Sequence, residues 1–316
     1  MPEIIPVSAL LPTYNRRLAL GRMLESLARQ AVQPAEMIVV DASAGDETGQ
    51  LCSAKIEGLA TALVYRRAEE TGAAAQRNQA FKFANHPVIM FLDDDIIFED
   101  DCLSRLWQAL CGDERLGGVS AMITNQRYFP PGRVSRTVFR LLHGSRQETY
   151  AGKCIGPALN LLPEDRPELP EVVPVEWLNT TCTLYRREAL PQDGLFPPHF
   201  TGYSMMEDLC LSLLVGREWK LANARLARIF HDSQPGDYKQ GASRLARMEL
   251  VNRHFLMTRI LGRTRPTDYL KLTLLEAFGI ASLLTRGRGW VDLPAVLYGK
   301  LAALGSLFTG KSSSQA

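Results

Sequence analysis

The stretch VIMFLDDDI, residues 88–96, decides how the rest of the chain is read. Five apolar residues in succession suit a strand buried on both faces, and they run directly into Asp93, Asp94 and Asp95. Three adjacent carboxylates at the end of a buried strand repel one another, and burial makes each charge costly. Such a cluster requires a cation, a set of donors or open water.

Working outward, the same arrangement recurs. VSALL (7–11) is a short apolar run closed by Pro12, and the next segment places Leu20, Met23, Leu24, Leu27, Ala28 and Ala31 at helical spacing. MIVV (37–40) ends at Asp41, LVY (63–65) is a third strand, and AAAQRNQAFKFA reads as a helix leading into the strand at 88–92. Strands separated by helices predict βαβ units, hence an α/β fold with a Rossmann-like, mostly parallel open sheet and flanking helices. Ligands of such sheets bind beyond the carboxyl ends of the strands. Thr13, Tyr14 and Asn15, then Asp41 and Ser43, then the Asp triplet all fall there, on one edge.

Downstream, residues 120–175 are rich in Pro, Gly and Arg and read as loops with one short helix near 135–143. WLNTTCTLYRREAL (177–190) resumes strand-like alternation, a helix begins near Glu207, and WKLANARLARIFHD reads as a closing strand pair ending at His231. Beyond about 240 the chain turns to three helical segments. The expected division is a sheet domain over 1–238 and a C-terminal helical region over 239–316.

A length of 316 residues with 46% hydrophobic and 22% charged residues suits a globular protein with a sizeable core. Six cysteines without a C-x-x-C pattern read as reduced packing residues of a cytoplasmic protein. The start, MPEIIPVSALLPTYN, lacks the basic and long apolar regions of a signal peptide. The net charge of +2 conceals an asymmetry: from Arg217 onward there are 16 Lys+Arg against 7 Asp+Glu, and before it 20 against 27. The acidic part is suited to hold a cation, the basic part to meet something anionic. Lys271, Glu276 and Lys300 interrupt the C-terminal apolar runs and argue against a membrane span. Flanked by Arg286, Arg288 and Trp290, these helices suit either an interfacial position on an anionic membrane or a bundle packed on the core or on a second copy.

Asp93, Asp94 and Asp95, the pair Glu207 and Asp208, and His231 beside Asp232 are the groups that carry chemistry. Carboxylate oxygens with one imidazole suit Mg2+ or Mn2+. Each acid also has a plainer explanation, as a solvated strand end or as a helix N-terminal residue favoured by the dipole. His86, His143, His199 and His254 have no matching partner in the pattern and read as packing or surface residues.

Seven of these pieces, in order, resemble the family 2 inverting glycosyltransferases of GT-A fold: LLPTYNR (10–16), IVVDAS (38–43), GAAAQRNQAF (72–81), FLDDDI (91–96), TCTLYRREAL (181–190), GYSMMEDLCLS (202–212) and ARIFHD (227–232). The resemblance covers most of the first 235 residues. It implies that Pro12, Thr13, Tyr14 and Asp41 line a nucleotide base pocket, with Arg77 on the base or ribose side. Asp93 and Asp95 would form the D-x-D, Asp95 and His231 would bind Mn2+ or Mg2+ at the donor diphosphate, and Asp93 and Asp94 would face the ribose and donor sugar. Asp208 would be the base and Glu207 would hold the acceptor or orient the site. Trp177 and Tyr203 are candidates to stack on an acceptor sugar, and equally ordinary core aromatics. The pattern departs from the family at Cys210 and Leu214, where another Asp and an Arg are usual.

The activity implied is transfer of a sugar from a nucleoside-diphosphate sugar to an acceptor hydroxyl of a saccharide or lipid-linked intermediate, in polysaccharide or glycolipid biosynthesis at the inner face of the cell membrane, without nucleic acid. The alternatives are an inactive glycosyltransferase-like membrane scaffold and a nucleotidyltransferase. The latter would want a Gly-rich, Lys-bearing loop after the first strand, and no glycine precedes Gly21.

Overall fold

The structure is a computed structural model that describes residues 1–233, 241–285, 287 and 289–309. Arg286 and Arg288 lie outside the described residues, as does the expected boundary at 238/239. Two compact units are formed, one within 1–128 and 162–234, the other within 129–161 and 235–316. Residues 129–161 thus group with the C-terminal helices, a departure from the linear division at 238.

The first unit opens with β1 (Glu3–Thr13), α1 (Arg17–Ala28), β2 (Val32–Asp41), α2 (Glu47–Ser53), β3 (Ala62–Arg67), α3 (Ala73–Phe81), β4 (Val88–Leu92), β5 (Ile96–Phe98), α4 (Cys102–Gly112) and β6 (Leu116–Ile123). The second unit contributes α5 (Arg133–His143) and a two-strand hairpin of β7 (Cys154–Ile155) and β8 (Leu159–Asn160). The first unit then resumes with β9 (Val172–Val175), β10 (Cys182–Arg186), α6 (Glu207–Val215) and β11 (Lys220–His231).

The sheet runs in the order β3-β2-β1-β4-β10-β6-β11-β5, with β9 also on β11. β3, β2, β1 and β4 are mutually parallel, β10 is antiparallel to both of its neighbours, and β6 and β11 are parallel. The parallel set brings Thr13, Asp41 and Asp93 to one edge. Every residue of β4 is buried, and so are Leu20, Met23, Leu24 and Leu27 on the inward face of α1. At about 2 kcal/mol for each large apolar side chain, this burial offsets the cost of crowding acids at the strand ends.

Three differences from the sequence reading have physical causes. α1 ends at Ala28, so Ala31 lies outside the helix and is exposed. β6 runs four residues into the stretch read as loop from 120, and the two glycines near its start are required there. A Cβ on Gly117 would lie 2.5 Å from Trp219 Cβ, and one on Gly118 2.6 Å from Tyr185 Cδ1. The expected strand pair at 219–231 is one strand, β11, whose pairing with β6 shifts register between Ala224 and Arg228.

The second unit is completed by α7 (Ala242–Phe255), extended by a π-turn over Leu256–Ile260, then α8 (Pro266–Leu283) and α9 (Gly289–Thr309). Its core includes Leu250, Met257, Leu272 and Ala303. Lys300 Nζ lies 2.6 Å from both Glu249 Oε2 and Glu276 Oε2, and Arg253 Nη1 and Nη2 lie 2.5 Å from Glu276 and 2.9 Å from Glu249. Glu276 and Lys300, two of the three charges that interrupt the apolar runs, therefore pair with each other, and with Arg253 and Glu249 they tie α7, α8 and α9 together. Among the described residues no helix is long and apolar enough to cross a membrane.

Candidate active site

The three aspartates at the end of β4 have three different environments. Asp94 is 4% exposed; its carboxylate accepts from Thr13 Oγ1 at 2.7 Å and from Arg16 Nη1 at 3.1 Å. Burial pushes its pKa up to about 6, against the opposing pull of Arg16. Asp95 is equally buried and receives Arg16 Nη1 on Oδ2 at 2.8 Å, while Oδ1 lies 3.0 Å from His231 Nε2. Asp93 is held by Arg77, whose Nη2 lies 2.6 Å from Oδ1. Donors from two arginines thus satisfy the acids around which the chain is read.

Arg77 rises from α3 and is 2% exposed. Its Nη1 reaches Glu207 Oε1 at 3.0 Å, so one guanidinium joins the end of β4 to the start of α6. Glu207 is buried, and burial with Asp208 beside it raises its pKa well above the carboxylate range. Burial also raises that of Asp208, and the two acids titrate as a pair. Asp208 Oδ1 accepts from the Leu209 backbone N–H at 2.7 Å, while Oδ2 has no hydrogen-bond donor among the described residues.

The turn leading into α6 is built from unusual backbone. Gly202, Ser204 and Met206 all have positive φ, at 60°, 54° and 72°. Side chains at Ser204 and Met206 make this conformation costly, and such strain is tolerated where the surroundings fix it. Gly72, with φ 145°, forms a bridge to Gly202 and fixes it here; a Cβ on Gly72 would lie 3.1 Å from Gly202 N. Tyr203 stands near the same acids: burial, then Glu207, Asp93 and Asp208, raise its pKa. Trp177 is only 8% exposed.

Asp93, Asp95 and His231 each bring one ligand atom to within 4.8 Å of the others. Two carboxylate oxygens and an imidazole nitrogen fit a hard divalent cation such as Mn2+ or Mg2+. The register explains the convergence, because His231 pairs with Ile96 across β11 and β5, directly after Asp95. Gln126 Nε2 lies 3.2 Å from His231 Nδ1, and Asn125 exchanges two bonds with the His231 backbone, at 2.8 and 3.1 Å. For Nε2 to be a ligand, Nδ1 must carry the proton and Gln126 must offer it the amide oxygen.

At the first two strand ends, Asp41 is fully buried and accepts from Ser43 N at 2.9 Å, from the Ser43 hydroxyl and from Tyr65 Oη at 3.1 Å. Gln76 donates to Thr13 O at 3.0 Å and Val40 O at 2.7 Å, tying β1 to β2. Pro12 pairs with Val40 in the ladder, and Tyr14 just beyond the strand is 42% exposed. The sequence alone does not single out Arg16, Gln76, Asn125 and Gln126. The first two stand inside the motifs LLPTYNR and GAAAQRNQAF; the last two fall in the stretch read as loop.

Solved structures share this framework. The mannosyltransferase PcManGT from Pyrobaculum calidifontis, in complex with GDP-Man and Mn2+, matches with a TM-score of 0.54 at 18% identity, over 98% of this chain and 81% of that chain. S. aureus TarS 1–349 matches with a TM-score of 0.50 at 18% identity, over 97% and 92%. These likenesses give the fold, which is GT-A. Residues 8–192 match the Glycosyl transferase family 2 profile, and the chain belongs to that family. A PGL/p-HBAD biosynthesis glycosyltransferase of Mycobacterium bovis is 28% identical over 139 residues, 42% of this chain and 54% of that protein. Glycosyltransferase GlyG of Streptococcus pneumoniae is 29% identical over 108 residues, 34% and 35%. The chain thus spans between a third and just over half of the length of these relatives.

Proposed function

We propose that the protein is a metal-dependent, inverting glycosyltransferase that moves a sugar from a nucleoside diphosphate to an acceptor hydroxyl in polysaccharide or glycolipid biosynthesis. One observation carries the reading: Arg77 links Asp93 of a candidate metal cluster to Glu207, next to Asp208, whose Oδ2 has no hydrogen-bond donor among the described residues. A leaving group and a base are thereby set in one frame.

Asp93, Asp95 and His231 would hold Mn2+ or Mg2+, which when bound supplies Lewis acidity to the leaving diphosphate. Pro12, Thr13, Tyr14 and Asp41 receive the base of the nucleotide, Asp41 prearranged by Ser43 and Tyr65. Asp94 holds the wall facing the ribose and donor sugar through Thr13 and Arg16. Arg77 keeps Asp93 and Glu207 apart in charge and fixed in place. Asp208 takes the proton of the acceptor hydroxyl as that oxygen attacks the anomeric carbon opposite the diphosphate, and one displacement inverts the centre. Glu207 orients the acceptor side. Tyr203 rather than the buried Trp177 is the aromatic suited to meet the acceptor sugar.

The catalytic part lies within residues 1–238, less the segment 129–161, which belongs to the same compact unit as the helical region 239–316. The acceptor is saccharide or lipid-linked, met at the cytoplasmic face of the membrane. Support comes from the second unit, which holds twelve of the eighteen exposed large apolar side chains among the described residues, including Trp290, Val291, Tyr298 and Leu301 of α9.

Calorimetric titration with UDP, dTDP and GDP, each with and without Mn2+, tests the reading. One nucleotide should bind only with the metal present, and failure of all three would overturn it. The anomeric configuration of the product, read by NMR, checks the inversion.

A further inference from the structure

The second unit contains a segment far from the C-terminus that the catalytic reading does not use. Residues 129–161 carry Arg133, Arg136, Arg140, Arg146 and Lys153 against the single acid Glu148. The first three arginines lie on α5 at i, i+3 and i+7, which places them on one ridge, and all three are exposed. No carboxylate among the described residues forms an ion pair with any of them. Val134 and Leu141, seven residues apart on the adjoining ridge, are 71% and 52% exposed, and Phe129 just before the helix is 79% exposed.

The opposite side of α5 accounts for its stability. Leu142 is buried with Tyr150 and Ile155, and Phe139 meets the rings of Tyr150 and Phe278 edge-on at 5.5 and 6.4 Å. The helix is therefore held by its inner face, and its outer face is left with a row of cations beside a row of apolar side chains. Neither row is needed for packing.

We propose that the outer face of α5 docks on the surface of an anionic phospholipid bilayer, the arginines meeting lipid phosphates while Val134, Leu141 and Phe129 enter the headgroup boundary. This rests on the membrane-face reading and deepens it, adding a contact outside the C-terminal helices and specifying the lipid charge. Complementarity selects this occupant. A second copy of the same face would oppose arginine to arginine, and a nucleic acid would take the cations yet leave the apolar row in water. An anionic bilayer takes both.

The test uses the full chain in co-sedimentation with vesicles of phosphatidylcholine alone or mixed with phosphatidylglycerol, at low and high salt. The triple variant R133Q/R136Q/R140Q should lose about 100-fold in partitioning onto the anionic vesicles, roughly fivefold per arginine. R133K/R136K/R140K should keep most of it, and salt should weaken the wild type more than the glutamine variant. Circular dichroism on each variant confirms that the fold is kept. In a wild type that binds both vesicle types equally, with the glutamine variant unchanged, the membrane reading stands and the α5 inference falls. No binding to either vesicle overturns both. Loss of binding to soluble inorganic polyphosphate in the glutamine variant, with wild type indifferent to phosphatidylglycerol, assigns the arginines to a soluble polyanion and also overturns the inference.

Discussion

Arg77 Nη1 and Glu207 Oε1 lie 3.0 Å apart, joining residues 130 positions distant in the chain. Arg77 also holds Asp93, so its removal strands two carboxylates at once. Arg77→Met should cost about 3–5 kcal/mol in urea unfolding, the range for breaking a buried pair. Arg77→Lys should recover part of that, because a point charge cannot bridge both acids as a planar fork does.

Asp208→Asn should lower turnover by a factor of about 10²–10⁴ while leaving calorimetric nucleotide binding nearly unchanged. Because burial raises the pKa of Asp208, this proposed base is protonated at pH values where an exposed carboxylate, near 4, is already ionised. Activity should therefore fall with acidification on a limb well above pH 4. Stability runs the other way: the folded pair binds protons more tightly than the unfolded chain, so raising the pH between ordinary and raised pKa values weakens the fold. A pH series of turnover and of urea midpoint separates the two.

Asp95→Ala and His231→Ala should each weaken Mn2+ binding, followed by the paramagnetic resonance of the free ion. Gln126→Ala, one step removed, should weaken it by about 10–100-fold if the amide sets the His231 tautomer. Unchanged affinity in the first two would exclude them as ligands.

Gly72→Ala tests the strained turn. At φ 145° with Gly202 N 3.1 Å from the new Cβ, it should destabilise by about 1–3 kcal/mol. It should also slow turnover more than it weakens nucleotide binding, since the bridge positions the turn that carries Glu207 and Asp208.

Lys300→Met leaves Glu249 and Glu276 without one of their two cations and should lower the thermal midpoint. The pKa of Glu249 is lowered by Arg253 and Lys300 against the opposing effect of burial. Its contribution is thus present above the ordinary carboxylate value and lost as pH falls through the lowered one. Acid titration of the wild type should show this loss, and the variant should show less of it.

The strands β1, β2 and β4 were legible because burial on both faces writes itself into composition, and β3, only partly buried, was legible from the short run LVY. So were α6, from its acidic first turn, and the three C-terminal helices. β6 was not, since its two glycines answer to Trp219 and Tyr185, residues remote in sequence. Of the site, the acids and His231 stand out as chemistry-bearing types at strand and helix ends. Their partners do not: Arg16 and Gln126 are ordinary surface residues until the fold brings Asp95 and His231 to them. Nor does the sequence tell that Arg77 faces Asp93 and Glu207, because that contact depends on a turn with three positive φ angles.

The guanidinium groups of Arg16 and Arg77 at the aspartate triplet have one more consequence. The fold carries its own counterions, so the crowded acids are neutralised as the chain collapses, before any metal or nucleotide arrives. Assembly is thereby independent of supply. The acids can stand together in the empty site, and occupation or release of that site leaves the architecture intact.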